Sequence, residues 1–270
     1  MSGFFENLSM IVKERDSMLC VGLDSDISKL PAACVREQNP QLFFNKAIIN
    51  ATHDIACCYK INLAFYESAG RKGMEALEGT LAALPSSVLV IADAKRADIG
   101  NTSKHYARAI FDTFGFSAIT LNPYMGFDSL EPFFEYHDRG MFVLCLTSNP
   151  GADDFQIPHT LYREVARKCC EWNATFGNIG LVTGARYPEQ LAEIRQLYPE
   201  AWFLIPGIGA QGGDLKAVLT HGARADELGM IINASRAVIF ASRDADFAEH
   251  ARTEALSFTQ AIREQRRKQP

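Results

Sequence analysis

The sequence predicts an α/β protein built as a closed (β/α)8 TIM barrel, and three observations lead to this prediction. Eight short apolar segments recur along the 270 residues. Segments with the period of amphipathic helices lie between them, as expected for a parallel sheet with crossover helices. Polar and charged residues follow the apolar segments, at the end where the active site of such a barrel lies. An open, doubly wound parallel sheet is the alternative.

The eight predicted strands share a high content of Val, Ile and Leu on both faces, which is typical of strands covered on both sides. They comprise residues 18–24, 57–63, 88–95, 117–122, 141–147, 178–184, 202–207 and 229–235.

The intervening segments predict helices. Residues 41–55 and 187–199 carry apolar side chains at positions i, i+3, i+4 and i+7. The C-terminal tail from residue 254 continues a helical pattern and ends in a basic, solvated terminus. Because no linker or shift in composition interrupts the series, we expect a single domain over residues 1–270.

Composition excludes several classes of protein. The net charge of -5 argues against a general nucleic-acid binder. No basic N-terminal end precedes a long apolar run, and no apolar stretch reaches membrane-spanning length, so we expect a soluble, cytoplasmic protein. The 7 cysteines contain no C-x-x-C motif. They are expected to be small buried hydrophobic residues rather than metal ligands or disulfide partners.

Charged residues lie at and just beyond the end of the third predicted strand, in the segment VLVIADAKRAD of residues 88–98. Side chains alternate faces along a strand, so Asp93 and Lys95 should point the same way. Lys60, on the second strand, should be a neighbour of Asp93. Asp98 follows three residues after Lys95, too far along to belong to the same ladder. The four side chains alternate between cation and anion, and their burial is tolerable only if they are hydrogen-bonded to one another.

Such a cluster suits one kind of chemistry. An ammonium group held by carboxylates stays protonated and can deliver a proton to a carbanion that forms beside it. A carboxylate beside an anionic substrate group disfavours that group until it leaves. Together they suit the loss of CO2 followed by protonation of carbon. A purely structural ion-pair network is the alternative.

Other strand ends add polar groups to the same rim. The first strand ends in Asp24, the second carries Asn62, the fourth ends in Asn122, and the fifth ends in Thr147 and Ser148. Hydrogen bonding to loop backbone is an equally good interpretation of Asn122 and Thr147.

The seventh and eighth strands suggest a phosphate site. The segment PGIGAQGGD contains G-x-G-x-x-G, but Asp226 precedes the next strand, whereas a dinucleotide fingerprint requires its acid at that strand's end. Barrels often bind phosphate between these two loops and a short extra helix. Ser235 and Arg236 would open such a helix, and Gln211 could cover the phosphate from the glycine-rich loop. A plain turn with a surface arginine is the alternative.

At this point the sequence resembles a known family. The segment DAKRAD matches the Asp-x-Lys-x-x-Asp motif of the orotidine 5'-phosphate decarboxylase family. Five further segments support the resemblance, in the family's order and over nearly the whole chain: GLDSD, KINLAFYE, TSNPGADDFQ, PGIGAQGGD and NASR. The sequences of TSNPG and PGIGAQGGD are similar to those of the bacterial branch of somewhat longer chains.

The resemblance implies an enzyme that converts orotidine 5'-monophosphate to uridine 5'-monophosphate and CO2, the last step of pyrimidine nucleotide synthesis, without metal or cofactor. Lys95 would protonate C6 of the pyrimidine after CO2 departs. Asp93 would lie against the substrate carboxylate, and Lys60 would anchor Asp93 and the ribose.

The resemblance also implies a substrate-binding set. Asp24 would hold a ribose hydroxyl, Ser148 would read the pyrimidine edge, and Gln211, Ser235 and Arg236 would bind phosphate. The family further implies a homodimer with shared sites. In it, Asp98 completes the partner's charge array and Thr102 touches the partner's ribose.

Two rival functions stay open at this stage. A sugar-phosphate decarboxylase or hexulose-phosphate synthase with the same core motif would use Mg2+, with carboxylates as ligands. Lys60 argues against this, because a cation there would repel the metal. A non-catalytic sensor of nucleotide monophosphates is the second rival, since a fold does not determine function. Lys95 argues against a sensor, which needs no proton donor beside C6.

Overall fold

A computed structural model describes residues 3–208 and 214–268 of the chain. Eight parallel strands close into a barrel in sequence order, with β8 hydrogen-bonded to β1. The predicted (β/α)8 barrel is therefore confirmed over the open sheet. The strands are β1 Leu19–Gly22, β2 Cys58–Asn62, β3 Leu89–Arg96, β4 Ala118–Leu121, β5 Gly140–Leu146, β6 Ile179–Thr183, β7 Phe203–Pro206 and β8 Met230–Ala234.

Helices lie between the strands, as predicted. In the described part of the chain they are α1 Phe4–Arg15, α2 Ala32–Val35, α3 Pro40–Thr52, α4 Ala64–Glu67, α5 Gly70–Ala83, α6 Gly100–Arg108, α7 Glu131–Phe134, α8 Ala152–Phe155, α9 Leu161–Phe176, α10 Pro188–Leu197, α11 Leu215–Gly222, α12 Arg236–Ile239 and α13 Phe247–Arg267. The helices predicted over 41–55 and 187–199 are α3 and α10, and the predicted C-terminal helix is the second half of α13.

The helix α1 packs over the N-terminal end of the barrel. Its buried residues Phe4 and Leu8 lie four positions apart and so share one face of the helix. Phe4 packs edge-on against Phe142 of β5, with ring centroids 6.0 Å apart. A Cβ atom at Gly140, the first residue of β5, would lie 2.3 Å from the Phe4 ring, so glycine is needed for this close approach. The polar strand ends face the opposite side of the barrel.

All seven cysteines are free, and six of them are buried. Cys20 and Cys58 lie opposite each other on β1 and β2, inside the apolar core. Burial raises the pKa of the Cys58 thiol. The burial expected for small hydrophobic residues is thus found for these six, and Cys170 is partly buried. In residues 3–208 and 214–268, no helix has the length and apolar character needed to cross a bilayer.

Candidate active site

A cavity of about 280 Å3 opens at the C-terminal ends of the strands. Strand ends, and the residues that directly follow them, form its wall. Of the side chains singled out from the sequence, the cavity is lined by Asp24, Lys60, Asp93, Lys95, Thr147, Ser148, Ser235 and Arg236. Gln211, predicted to cover a phosphate, lies outside the described residues.

Asp93 is the centre of the charged cluster. Its Oδ2 atom accepts a hydrogen bond from Lys60 Nζ at 2.9 Å, and its Oδ1 atom accepts one from Lys95 Nζ at 2.6 Å. Lys60 Nζ also lies 3.4 Å from Asp24 Oδ1. The sequence-based prediction that Lys60, Asp93 and Lys95 lie together is thus confirmed by the geometry, and Asp24 joins them as a second carboxylate.

The side chains of the cluster differ in how far they are buried. The Lys60 side chain is 5% exposed and that of Asp93 is 11% exposed, whereas Lys95 is 49% exposed. Burial by itself would lower the pKa of Lys60, but the carboxylates of Asp24 and Asp93 outweigh it and raise that pKa. Burial would likewise raise the pKa of Asp93, but Lys60 and Lys95 hold it well below its usual range. Both groups are therefore charged at neutral pH.

The contact between Asp93 and Lys95 does not arise from regular strand alternation, contrary to our expectation. The register between β3 and β4 shifts after Ala92, and Lys95 has a φ of 48°, in the left-handed region. The bulge thus redirects the Lys95 side chain toward Asp93, as bulges beside active sites often do.

Asp98 is separate from this cluster within one chain. Its Oδ1 atom accepts a hydrogen bond from the backbone N–H of Ile99 at 2.8 Å, because the chain turns there into α6. Among the described residues, no hydrogen bond or ion pair joins Asp98 to Lys60 or Lys95. Thr102 lies on α6 and is exposed, away from the cavity of its own chain.

Another part of the cavity wall is formed by β8 and the single turn α12. Ser235 precedes this turn, and its Oγ atom accepts a hydrogen bond from Asn233 Nδ2 at 3.2 Å. A Cβ atom on Gly22 of β1 would lie 1.9 Å from Ser235 Oγ, so only glycine leaves room for this serine. Arg236 is exposed at the first position of the turn. The predicted short helix after β8 is therefore confirmed.

Two rim residues whose sequence interpretation was open have local partners. Asn122 Oδ1 accepts from the backbone N–H of Tyr124 and caps a turn. Thr147 donates from its hydroxyl to Asn149 Oδ1 at 2.6 Å, and its backbone N–H donates to Gln156 Oε1 at 2.7 Å. These bonds fix the loop after β5.

Ser148, in that same loop, packs against Gly184 at the end of β6. A Cβ atom on Gly184 would lie 2.8 Å from both the Cα and the backbone nitrogen of Ser148. Glycine at this position therefore sets how close Ser148 stands to the cavity.

The cavity residue Thr120 escaped the sequence reasoning, which did not single out the polar residue inside the fourth predicted strand. Thr120 is the single polar residue within β4, and it is buried. An isolated hydroxyl in an otherwise apolar strand is the signal that would have revealed it, since buried polar groups are hydrogen-bonded.

Among residues 3–208 and 214–268, no group of three or more His, Cys, Asp or Glu side chains is arranged to hold a metal ion. Instead, the Lys60 ammonium occupies the space between Asp24 and Asp93.

Fold and site together define a (β/α)8-barrel enzyme with an ammonium and carboxylate cluster at the mouth of the barrel. Residues 17–251 match the model of the orotidine 5'-phosphate decarboxylase / HUMPS family. The chain belongs to this family, as its sequence motifs predicted.

Relatives align over almost their whole length. A protein of Dehalococcoides mccartyi named orotidine 5'-phosphate decarboxylase is 47% identical over 98% of this chain and 99% of its own. One of the same name from Herpetosiphon aurantiacus is 47% identical over 94% of this chain and 96% of its own. The solved structure of Leishmania donovani OMP decarboxylase has a TM-score of 0.85 and 40% identity, and the match covers 98% of this chain and 99% of that one.

Proposed function

We propose that this chain decarboxylates orotidine 5'-monophosphate to uridine 5'-monophosphate and CO2. The family and the names of its relatives bear out the sequence-based prediction of a decarboxylase. The observation that carries the proposal is the Lys95 ammonium, held 2.6 Å from Asp93 in a cavity that Ser235 and Arg236 also line. Because both sets of groups line one cavity, it suits a substrate that carries both a phosphate and the reacting carbon.

The proposed reaction needs only a proton donor beside the carbon that loses CO2. The bond between C6 and the carboxylate breaks, and its electron pair stays on C6. A proton then passes from Lys95 Nζ to C6, which leaves a neutral amine. Because the Lys95 side chain is 49% exposed, the amine can regain a proton from water after product release.

Asp93 has two parts in this proposal. Its charge pairs with the Lys95 ammonium at 2.6 Å and aims that group into the cavity. The same charge would face the substrate carboxylate and disfavour it until CO2 leaves. Lys60 is the anchor that keeps Asp93 ionised when water is displaced.

The remaining proposed roles follow the positions around the cavity. Asp24, beside Lys60, would bind a ribose hydroxyl, and Ser148 would bind the pyrimidine edge. Ser235 and Arg236 would bind the phosphate with the backbone N–H groups of the adjoining turn. The proposed phosphate role of Gln211 stays a prediction, as do the single domain over residues 1–270 and the cytoplasmic location.

A metal-dependent reaction on a sugar phosphate is the main competitor, because the family description includes a second activity class. The position of Lys60 Nζ, within 3.4 Å of Asp24 and 2.9 Å of Asp93, favours the metal-independent decarboxylation. The Lys60 ammonium already pairs with both carboxylates, which are the ligands that Mg2+ would need.

The proposed activity is tested by adding orotidine 5'-monophosphate and following its ultraviolet absorbance with and without EDTA. We expect turnover at the same rate in both samples, because the charges that act on the substrate belong to side chains. A parallel sample with added MgCl2 serves as control and should show no increase. Absence of turnover, or activity lost in EDTA and restored by Mg2+, would contradict the proposal.

The proposed assembly is a homodimer that shares its two active sites. Asp98 and Thr102 lie outside their own chain's cavity, at the adjoining end of β3 and the start of α6. Large apolar side chains near this rim are exposed, with Ile99 at 60% and Tyr124 at 87%. A second copy that covered this surface would bury them and bring Asp98 toward the partner's cluster.

Shared sites predict complementation between two inactive variants. Lys95→Ala and Asp98→Asn should each be inactive alone, because each lacks one charge in every site. After mixing and subunit exchange, each hybrid dimer contains one intact site, so about a quarter of the wild-type activity should return. A mixture as inactive as its components, with exchange verified by mass spectrometry, would rule out shared sites.

A further inference from the structure

The β3–β4 ladder is interrupted where the charged cluster begins. Ala92 pairs with Ile119, but the next paired residues are Arg96 and Leu121. Three residues of β3, from Asp93 to Lys95, therefore face a single residue of β4, which is Thr120. Backbone groups in such a bulge lose their regular partners in the neighbouring strand.

Lys95 bears the conformational cost of this bulge. Its φ of 48° is unfavourable for a residue with a side chain, and such conformations persist only where the surroundings enforce them. Its backbone N–H donates to Thr120 Oγ1 at 3.0 Å, so a side-chain oxygen accepts the bond in place of a backbone carbonyl.

The same hydroxyl also contacts the reacting cluster. Thr120 Oγ1 donates to Asp93 Oδ1 at 3.0 Å, the oxygen that also accepts from Lys95 Nζ. Thr120, which is 1% exposed, thus contacts both the backbone of Lys95 and the carboxylate that pairs with the Lys95 ammonium group. The Thr120 hydroxyl must donate its proton to Asp93, because the ionised carboxylate cannot donate. The hydroxyl oxygen is then the acceptor for the backbone N–H of Lys95.

We propose that Thr120 is a positioning residue that holds Lys95 in its left-handed conformation and aims its ammonium group along Asp93 into the cavity. The expected effect of Thr120 on kcat rests on the proposed function. The expected effect on the conformation of Lys95 does not depend on it. Thr120 acts through Lys95 and Asp93 and is not assigned a contact with the reacting atoms.

Three variants separate this role from a general contribution to packing. Thr120→Val removes the hydroxyl and keeps the shape, and Thr120→Ser restores the hydroxyl. Thr183→Val is a matched control, because Thr183 is a buried threonine at the end of β6 whose Oγ1 has no hydrogen-bond partner in the described chain.

Thr120→Val should lower kcat by about 10- to 100-fold through misplacement of the lysine, while KM and the affinity for uridine 5'-monophosphate change by less than about threefold. Thr120→Ser and Thr183→Val should stay near wild type. In a crystal structure of Thr120→Val, Lys95 should leave the left-handed region and its Nζ should move away from Asp93.

The outcomes are distinguishable from a failure of the proposed function, which would appear as an inactive wild type in the same assay. The crystal structure decides the geometric part in that case as well. The inference is overturned if Lys95 keeps its conformation in Thr120→Val, if kcat of an active enzyme is unchanged, or if Thr120→Ser fails to rescue.

Discussion

Lys95→Ala is expected to reduce decarboxylation by about 10³-fold or more, because the variant lacks the proton donor proposed for C6. Binding of uridine 5'-monophosphate should change little, because the groups proposed to hold its ribose and phosphate are Asp24, Ser235 and Arg236. The measurements are the ultraviolet rate with orotidine 5'-monophosphate and calorimetric titration with the product.

Lys95 can be truncated with little expected effect on folding. Its side chain is 49% exposed and its ammonium contacts Asp93 without filling the core, so the truncation should leave the barrel folded. Lys46→Ala, on the exposed face of α3, removes an equal charge at a position that does not line the cavity and should retain full activity. Turnover near the wild-type rate in Lys95→Ala would refute the mechanism, and intact binding without turnover would separate an enzyme from a nucleotide sensor.

Asp93→Asn should abolish activity and also destabilise the fold. The amide has the shape of the carboxylate, but it leaves Lys60 and Lys95 without their common counter-ion. Removing one partner of a buried ion pair typically costs about 3–5 kcal/mol. Because Lys60 retains Asp24 at 3.4 Å, we expect a loss at the lower end, about 3 kcal/mol in urea unfolding.

The loss of stability should depend on pH with a definite sign. Asp93 has its pKa lowered by Lys60 and Lys95 against burial, so its contribution is present above the usual aspartate pKa of about 4 and fades as pH falls below it. Lys60 has its pKa raised, so its contribution is present below about pH 10 and is lost at higher pH. The stability difference between wild type and Asp93→Asn should therefore be largest between about pH 5 and 10.

Asp54→Asn is the matched control for this prediction. Asp54 forms a bidentate ion pair with Arg252 on the surface, with its side chain 51% exposed, so the same change should cost less than about 1 kcal/mol. Equal urea midpoints for Asp93→Asn and wild type would show that the buried cluster contributes nothing to stability.

The sequence determined the barrel because strand and helix patterns are local. Continuous apolar runs such as residues 141–147 specify strands covered on both faces, and the observed strands differ from the predicted segments by only a few residues. The charges after β3 were equally readable, because the ends of parallel strands meet at one face of a barrel. Both features can be predicted without knowing which residues of neighbouring strands pair with each other.

Only the tertiary structure decided how the site is assembled. The left-handed Lys95 and its bond to Thr120 depend on the register between β3 and β4, which no pattern within either strand reveals. Gly22 and Gly184 read as ordinary strand-end glycines until Ser235 and Ser148 are seen to fill the space beside them. Local sequence specifies what each strand carries, whereas packing across the closed barrel specifies which atoms touch.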